Sequence, residues 1–118
     1  MRWDIKEGIP IYTQLVQQIR TGIASGEYSP GSRLPSVRDM AMEAGVNPNT
    51  MQRALSEMER LGLMRTERTS GRFVTDDENT IASLKQNIAS GRAETFITQM
   101  KRLGLDRDEV LKLVKENY

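Results

Sequence analysis

A chain of 118 residues with 17 Lys/Arg against 16 Asp/Glu, net charge +1, suits one compact domain, or a small domain with an oligomerisation arm. It contains no Cys and no His, which excludes the usual zinc sites, thiol catalysis, Ser-His triads and disulfides, and fits a reducing cytoplasm. The opening MRWDIKEGIP lacks the apolar run of a signal peptide, and no stretch approaches the roughly 20 apolar residues of a membrane span.

Met1 to Pro10 reads as an extended lead-in, with Trp3 and Ile5 alternating toward the edge of a core. Pro10 opens a helix that runs to about Ser25. Ile11, Leu15, Ile19 and Ile23 lie four apart, and Tyr12 and Val16 widen the stripe. Gly26 ends this helix, and Tyr28 to Ser32, with Pro30-Gly31 at its centre, is a turn.

Two short helices then meet at Ala44-Gly45-Val46. Ser36 caps the first, with Asp39 three residues on in the manner of a capping box, and Val37, Met40, Ala41 and Ala44 form its core face. Arg38 lies off that face, free to reach outward. Gly45 permits the sharp turn of a helix-turn-helix unit. The second helix starts at an Asn47 cap with Pro48 at its first position, where a missing N–H carries no penalty. Met51, Ala54, Leu55, Met58 and Leu61 recur at helical spacing as a buried face, and Gly62 stops the helix. The opposite face reads Asn49, Thr50, Gln52, Arg53 and Ser56. These are hydrogen-bonding side chains gathered at a helix N-terminus, the end a recognition helix presents to the major groove.

Leu63–Glu67 and Arg72–Thr75 read as two short strands joined by Arg68-Thr69-Ser70-Gly71. A hairpin placed directly after a recognition helix is the wing of a winged helix. Arg65, Arg68 and Arg72 bring positive charge to it, within reach of a phosphate backbone or minor groove. Arg33 and Ser36 are candidates for phosphate contacts that position the domain without reading sequence. The bland alternatives are that Asn47 only caps, and that the wing arginines are ordinary edge-strand charges.

The acidic run Asp76-Asp77-Glu78 suits a hinge and a helix start. A long helical pattern follows, with Ile81, Leu84, Ile88, Phe96, Ile97, Met100 and Leu103 on one side. Ser90-Gly91 in its middle is a place for a bend or break, since Gly there costs about 1 kcal/mol against Ala. Gly104-Leu105 ends the pattern. Asp106 with Glu109 is a capping box for a last helix, whose apolar face is Val110, Leu111, Leu113 and Val114. A calcium-loop reading of Asp106–Glu109 fails on spacing. Each tail helix carries one apolar stripe with no core of its own, so a second copy of the chain is the simplest partner.

The run from Ile9 to Val74 is identified at this point as similar to the N-terminal domain of GntR-family bacterial transcription regulators. The motifs appear in order: IPIY, G-x-x-x-PG-x-x-LPS-x-R, VN-x-x-T-x-x-RA, the LGL exit and GRFV. The short tail, with FITQMKRLGLDRDEVLKLVKE, resembles the short-tailed YtrA-type subfamily, whose C-terminal helices serve dimerisation. The expected fold is mainly α with a small β-hairpin. A winged helix-turn-helix domain over residues 1–75 precedes a short α-helical dimerisation tail over residues 76–118.

By that resemblance Arg38 matches a DNA-contacting arginine, and Asn47, Asn49 and Thr50 match the polar positions opening the recognition helix. Gln52 and Arg53 occupy the pair that usually holds an arginine, which here takes the second place. At the wing tip the usual Gly-x-Gly becomes Thr69-Ser70-Gly71, with Ser70 and Gly71 at the tip and Arg68 and Arg72 keeping the charge. Leu84, Ile88, Phe96, Ile97, Met100, Leu103, Val110, Leu111 and Val114 are the expected dimerisation set.

The implied function is a cytoplasmic, homodimeric regulator that represses by occupying a palindromic operator in double-stranded DNA. No metal, cofactor or membrane partner is implied, and the tail leaves room for an unidentified small-molecule effector or for none. The rival reading is a protein-interaction module whose winged helix no longer reads DNA specifically. An enzyme is a poor reading, since no nucleophile–base pair, metal cluster or phosphate loop is visible, and none is expected.

Overall fold

The computed structural model describes all 118 residues, Met1–Tyr118. Pro10 ends the lead-in, and helix α1 (Ile11–Ser25) begins directly after it, followed by α2 (Val37–Ala44) and α3 (Pro48–Arg60). Strands β1 (Met64–Glu67) and β2 (Gly71–Val74) come next, then α4 (Glu78–Arg102) and α5 (Arg107–Asn117). The elements form two units, Met1–Lys85 and Gln86–Tyr118.

In the first unit α1 packs against α3, and α2 packs against α3 as well. Leu15, Ile19 and Ile23 from α1 are fully buried, as are Met51, Leu55 and Met58 from α3, and Met40 of α2 is nearly so. The apolar periodicity marks the core faces of α1 and α3 except at Ile11, the first residue of α1, which is exposed, and the flexible methionines fill gaps between the helices. The lead-in is fastened along α1 by two glutamine amides. Gln14 Nε2 donates to Lys6 O (2.8 Å) and Ile9 O (3.0 Å), and its Oε1 accepts from Lys6 N–H (2.7 Å). Gln18 repeats the exchange with Asp4 one helical turn later. Each buried amide atom is therefore satisfied, which removes the desolvation penalty of burying Gln14.

The strands pair antiparallel with Met64 opposite Val74 and Thr66 opposite Arg72. The segment before α2 joins the open side of β2: Leu34 N–H donates to Arg72 O and Val74 N–H donates to Ser32 O, both at 2.9 Å. The strands sit one residue from their expected bounds, at Met64 rather than Leu63 and Gly71 rather than Arg72.

Leu61, expected on the buried face of α3, is 42% exposed. The helix ends at Arg60 and the chain swings away through Gly62 at φ +76°, so Leu63 takes the buried place instead. Ser36 caps α2 by accepting from Asp39 N–H at 3.1 Å, but the return bond of a full capping box is missing, because Asp is one methylene shorter than Glu. The Asp106–Glu109 box at α5 is complete.

Helix α4 runs unbroken through Gly91. Leu84, expected in the dimerisation set, is only 6% exposed and belongs to the first unit. The first turns of α4, through Lys85, fall in the first compact unit. The second unit, the rest of α4 with α5, has no buried residue. Ile97 and Lys101 of α4 and Val110 and Leu111 of α5 line an open hollow of about 510 Å³. No helix of the chain is long and apolar enough to cross a membrane.

Candidate nucleic-acid interface

The turn between α2 and α3 is closed by backbone alone. Gly45 sits at φ +71°, its N–H bonded to Met42 O and Ala41 O, and Val46 N–H returns to Ala41 O at 3.0 Å. Asn47 then caps α3, its side-chain oxygen accepting from Asn49 N–H at 2.8 Å. With its inner face buried against α1 and α2, α3 turns Asn49, Gln52, Arg53 and Ser56 to solvent, and Thr50 lies half-buried beside them. The hydrogen-bonding face read from the sequence is therefore continuous and accessible.

The side chains on this face are held to different degrees. Gln52 Nε2 donates to Ser56 Oγ at 3.1 Å along the helix. The Arg53 guanidinium lies 4.6 Å over the ring of Tyr12, a cation–π contact that spans α1 and α3. Arg38, in the first turn of α2, is exposed and has no hydrogen bond or ion pair. Below this face Arg60 is held by Glu57, whose carboxyl that bond draws below its usual range.

The wing arginines separate into one free and two engaged. Arg68, in the connecting turn, is exposed and unpaired, and Ser70 N–H closes that turn onto Glu67 O at 3.3 Å. Arg65 lies 5.3 Å over Phe73 and 3.4 Å from Glu67. Arg72 donates from Nε to Glu59 Oε1 at 2.7 Å, and its side chain is only 15% exposed. Arg72, expected among the DNA-contacting residues, has its guanidinium paired with Glu59 of α3 in this structure. Gly71 at φ +107° shapes the turn, and the Arg33 side chain lies so near that a Cβ there would sit 3.1 Å from Arg33 Nε.

Sequence reasoning missed Glu59 and the stacking role of Tyr12. Tyr12 stood in the apolar stripe of α1, and only the packing of α1 on α3 brings it to Arg53. Glu59 carried no local signal, because its partners lie on the hairpin that follows.

The chain folds as a winged helix-turn-helix with an exposed polar face on α3, and residues 11–74 match the family described as "Bacterial regulatory proteins, gntR family". This chain belongs to the GntR family. The GntR match spans more than half of its length. The chain is 44% identical over 106 residues to an HTH-type transcriptional regulator of Bacillus subtilis, YhcF, covering 90% of this chain and 88% of that protein. It is 30% identical over 114 residues to the HTH-type transcriptional repressor YtrA of the same organism, covering 96% and 88%. Among solved structures, a GntR family transcriptional regulator from Listeria monocytogenes superposes with a TM-score of 0.88 at 38% identity, covering 94% of this chain and 97% of that one. The chain is a DNA-binding transcriptional regulator of the GntR family, with relatives of the YtrA type.

Proposed function

We propose that this regulator acts as a repressor, binding a palindromic operator as a homodimer in the cytoplasm and blocking transcription by occupancy, without chemistry. The observation that carries the reading is the exposed face of α3, where Asn49, Gln52 and Arg53 lie in the N-terminal half of the helix, with Arg38 exposed on α2. Side chains of this reach bond base edges in the major groove, and Arg38, Arg53 and Arg68 supply the cations that phosphates attract. Asn47 and Ser36 spend their side-chain oxygens on helix caps, so their contribution is to orient helix starts toward DNA.

The dimer is supported by the second unit, where Phe96, Ile97, Leu103, Leu111 and Val114 stay exposed on a single chain. Together with Ile88, Met100 and Val110 they form the surface we assign to pairing. Two recognition helices would then enter successive major grooves about 34 Å apart.

The test is a salt-titrated binding assay on DNA from upstream of the protein's own gene, with unrelated DNA as competitor. Arg53→Ala is expected to weaken specific binding by about 1–3 kcal/mol. Equal, weak binding of both proteins to both DNAs would overturn the reading and leave a protein-interaction module.

A further inference from the structure

A two-stranded hairpin is marginally stable alone in water, so the position of β1–β2 depends on what grips it from outside. One carboxylate does this from the recognition helix. Thr66 and Arg72 face each other across the hairpin on a single rung. Thr66 Oγ1 and Arg72 Nε both donate to the same atom, Glu59 Oε1, on the last turn of α3. The rung is thereby fixed from both strands at once. On the far side, Arg72 O accepts from Leu34 N–H at 2.9 Å. Arg72 is thus held through its side chain by α3 and through its backbone by the segment before α2.

We propose that Glu59 is a positioning residue for DNA binding: it latches the hairpin to the recognition helix so that Arg68, at the wing tip, is presented beside the α3 face. This inference rests on the proposed DNA-binding role of the wing. Of the wing arginines, Arg72 is spent on the latch and Arg65 on Glu67 and Phe73, which leaves Arg68 to carry the wing's contact. A carboxylate suits the task because charge-assisted hydrogen bonds are the stronger class. Removing it also leaves the largely buried Arg72 cation without its partner, which loosens the hold on the strand that carries it.

The experiment uses DNA selected by the wild-type protein from a random library, titrated with salt. It compares Glu59→Ala, Arg68→Ala, their double variant, and the exchange pair Glu59→Arg with Arg72→Glu. Glu59→Ala is expected to bind about tenfold more weakly, with the salt slope shallower by about one. Because Glu59 acts through Arg68, the double variant is expected to be no weaker than the weaker single, and the exchange pair to recover part of the loss. Hydrogen exchange of residues 64–74 in free Glu59→Ala protein is expected to rise while the amides of α1 and α3 hold.

Unchanged affinity and slope in a folded Glu59→Ala protein would overturn the proposal. Tighter binding with a steeper slope would overturn it too, showing a brake that competes with phosphate for Arg72. Should the wild type select no sequence at all, the functional reading falls by itself. Hairpin exchange then decides the latch, and unchanged exchange in Glu59→Ala sinks it.

Discussion

Arg38 and Arg53 would meet DNA on different terms. Arg38 is unrestrained, so binding must immobilise it from many rotamers. Arg53 already rests on Tyr12, and an exposed cation–π contact of this kind is worth about 0.5–1 kcal/mol. If that contact prepares Arg53 for the groove, Tyr12→Phe keeps the ring and should bind operator DNA like wild type. Tyr12→Leu should lose up to about 1 kcal/mol of affinity, and nothing further once Arg53→Ala is present. Equilibrium titration of the four proteins checks this, and additive losses would reject it. Glu59 makes a second residue-scale prediction. Burial pushes its carboxyl up, but the hydrogen bonds from Thr66 and Arg72 and the guanidinium charge outweigh that and hold it below its ordinary range. A carboxyl depressed in the folded state contributes stability that is fully present above its unfolded pKa, about 4.3, and is lost as pH falls through the folded value. Hairpin amides, corrected for intrinsic exchange, should keep constant protection from neutral pH down to about 5 and loosen below about 4. Glu59→Gln should abolish that pH dependence.

At the level of elements, what was legible in the sequence is what short-range chemistry determines. Asn47-Pro48 announced α3 because a cap and its N–H partner lie two residues apart. The Asp106–Glu109 box announced α5 for the same reason. The polar face of α3 was legible too, since helical periodicity sorts it from Met51, Leu55 and Met58. The Arg72–Glu59 pair was not legible, because Glu59 sits across a tertiary contact between helix and hairpin. Leu84 was assigned to a dimer surface by its stripe; in the structure it is buried on the single chain and falls in the first unit. Gly91 shows a local penalty overruled by its surroundings. The helix hydrogen bonds of a 25-residue element carry it through unbroken. A Cβ added there meets nothing within 4 Å, and the position is exposed. Gly91→Ala should therefore stabilise the tail by up to about 1 kcal/mol. A higher midpoint for helix melting by circular dichroism would confirm it, and a lower one would place a close neighbour at that position.

For the whole molecule, the two units differ in what they can do alone. Met1–Lys85 has a buried core and satisfied polar atoms, whereas Gln86–Tyr118 exposes its apolar side chains and buries none. A unit of the second kind persists as helices only by covering that surface, since short isolated helices are marginal in water. In the proposed dimer a second copy would do so symmetrically and would also tether two recognition helices. Such a tether would make the second half-site contact intramolecular, with an effective concentration in the millimolar range for a short connection. The expected consequence is specific to this division of labour. Ile97→Asp combined with Leu111→Asp should yield monomers in sedimentation, because two charges on that face would be desolvated in the pair. Affinity for DNA with a single half-site should stay unchanged, since nothing in the first unit is altered. Affinity for DNA with both half-sites should drop toward the single-site value, by up to the 10²- to 10⁴-fold that tethering typically adds, about 3–5 kcal/mol. A double variant that remains dimeric would remove the tail from the pairing surface. One that is monomeric yet binds the two-site DNA as tightly as wild type would show that the helices pair on DNA by some other face.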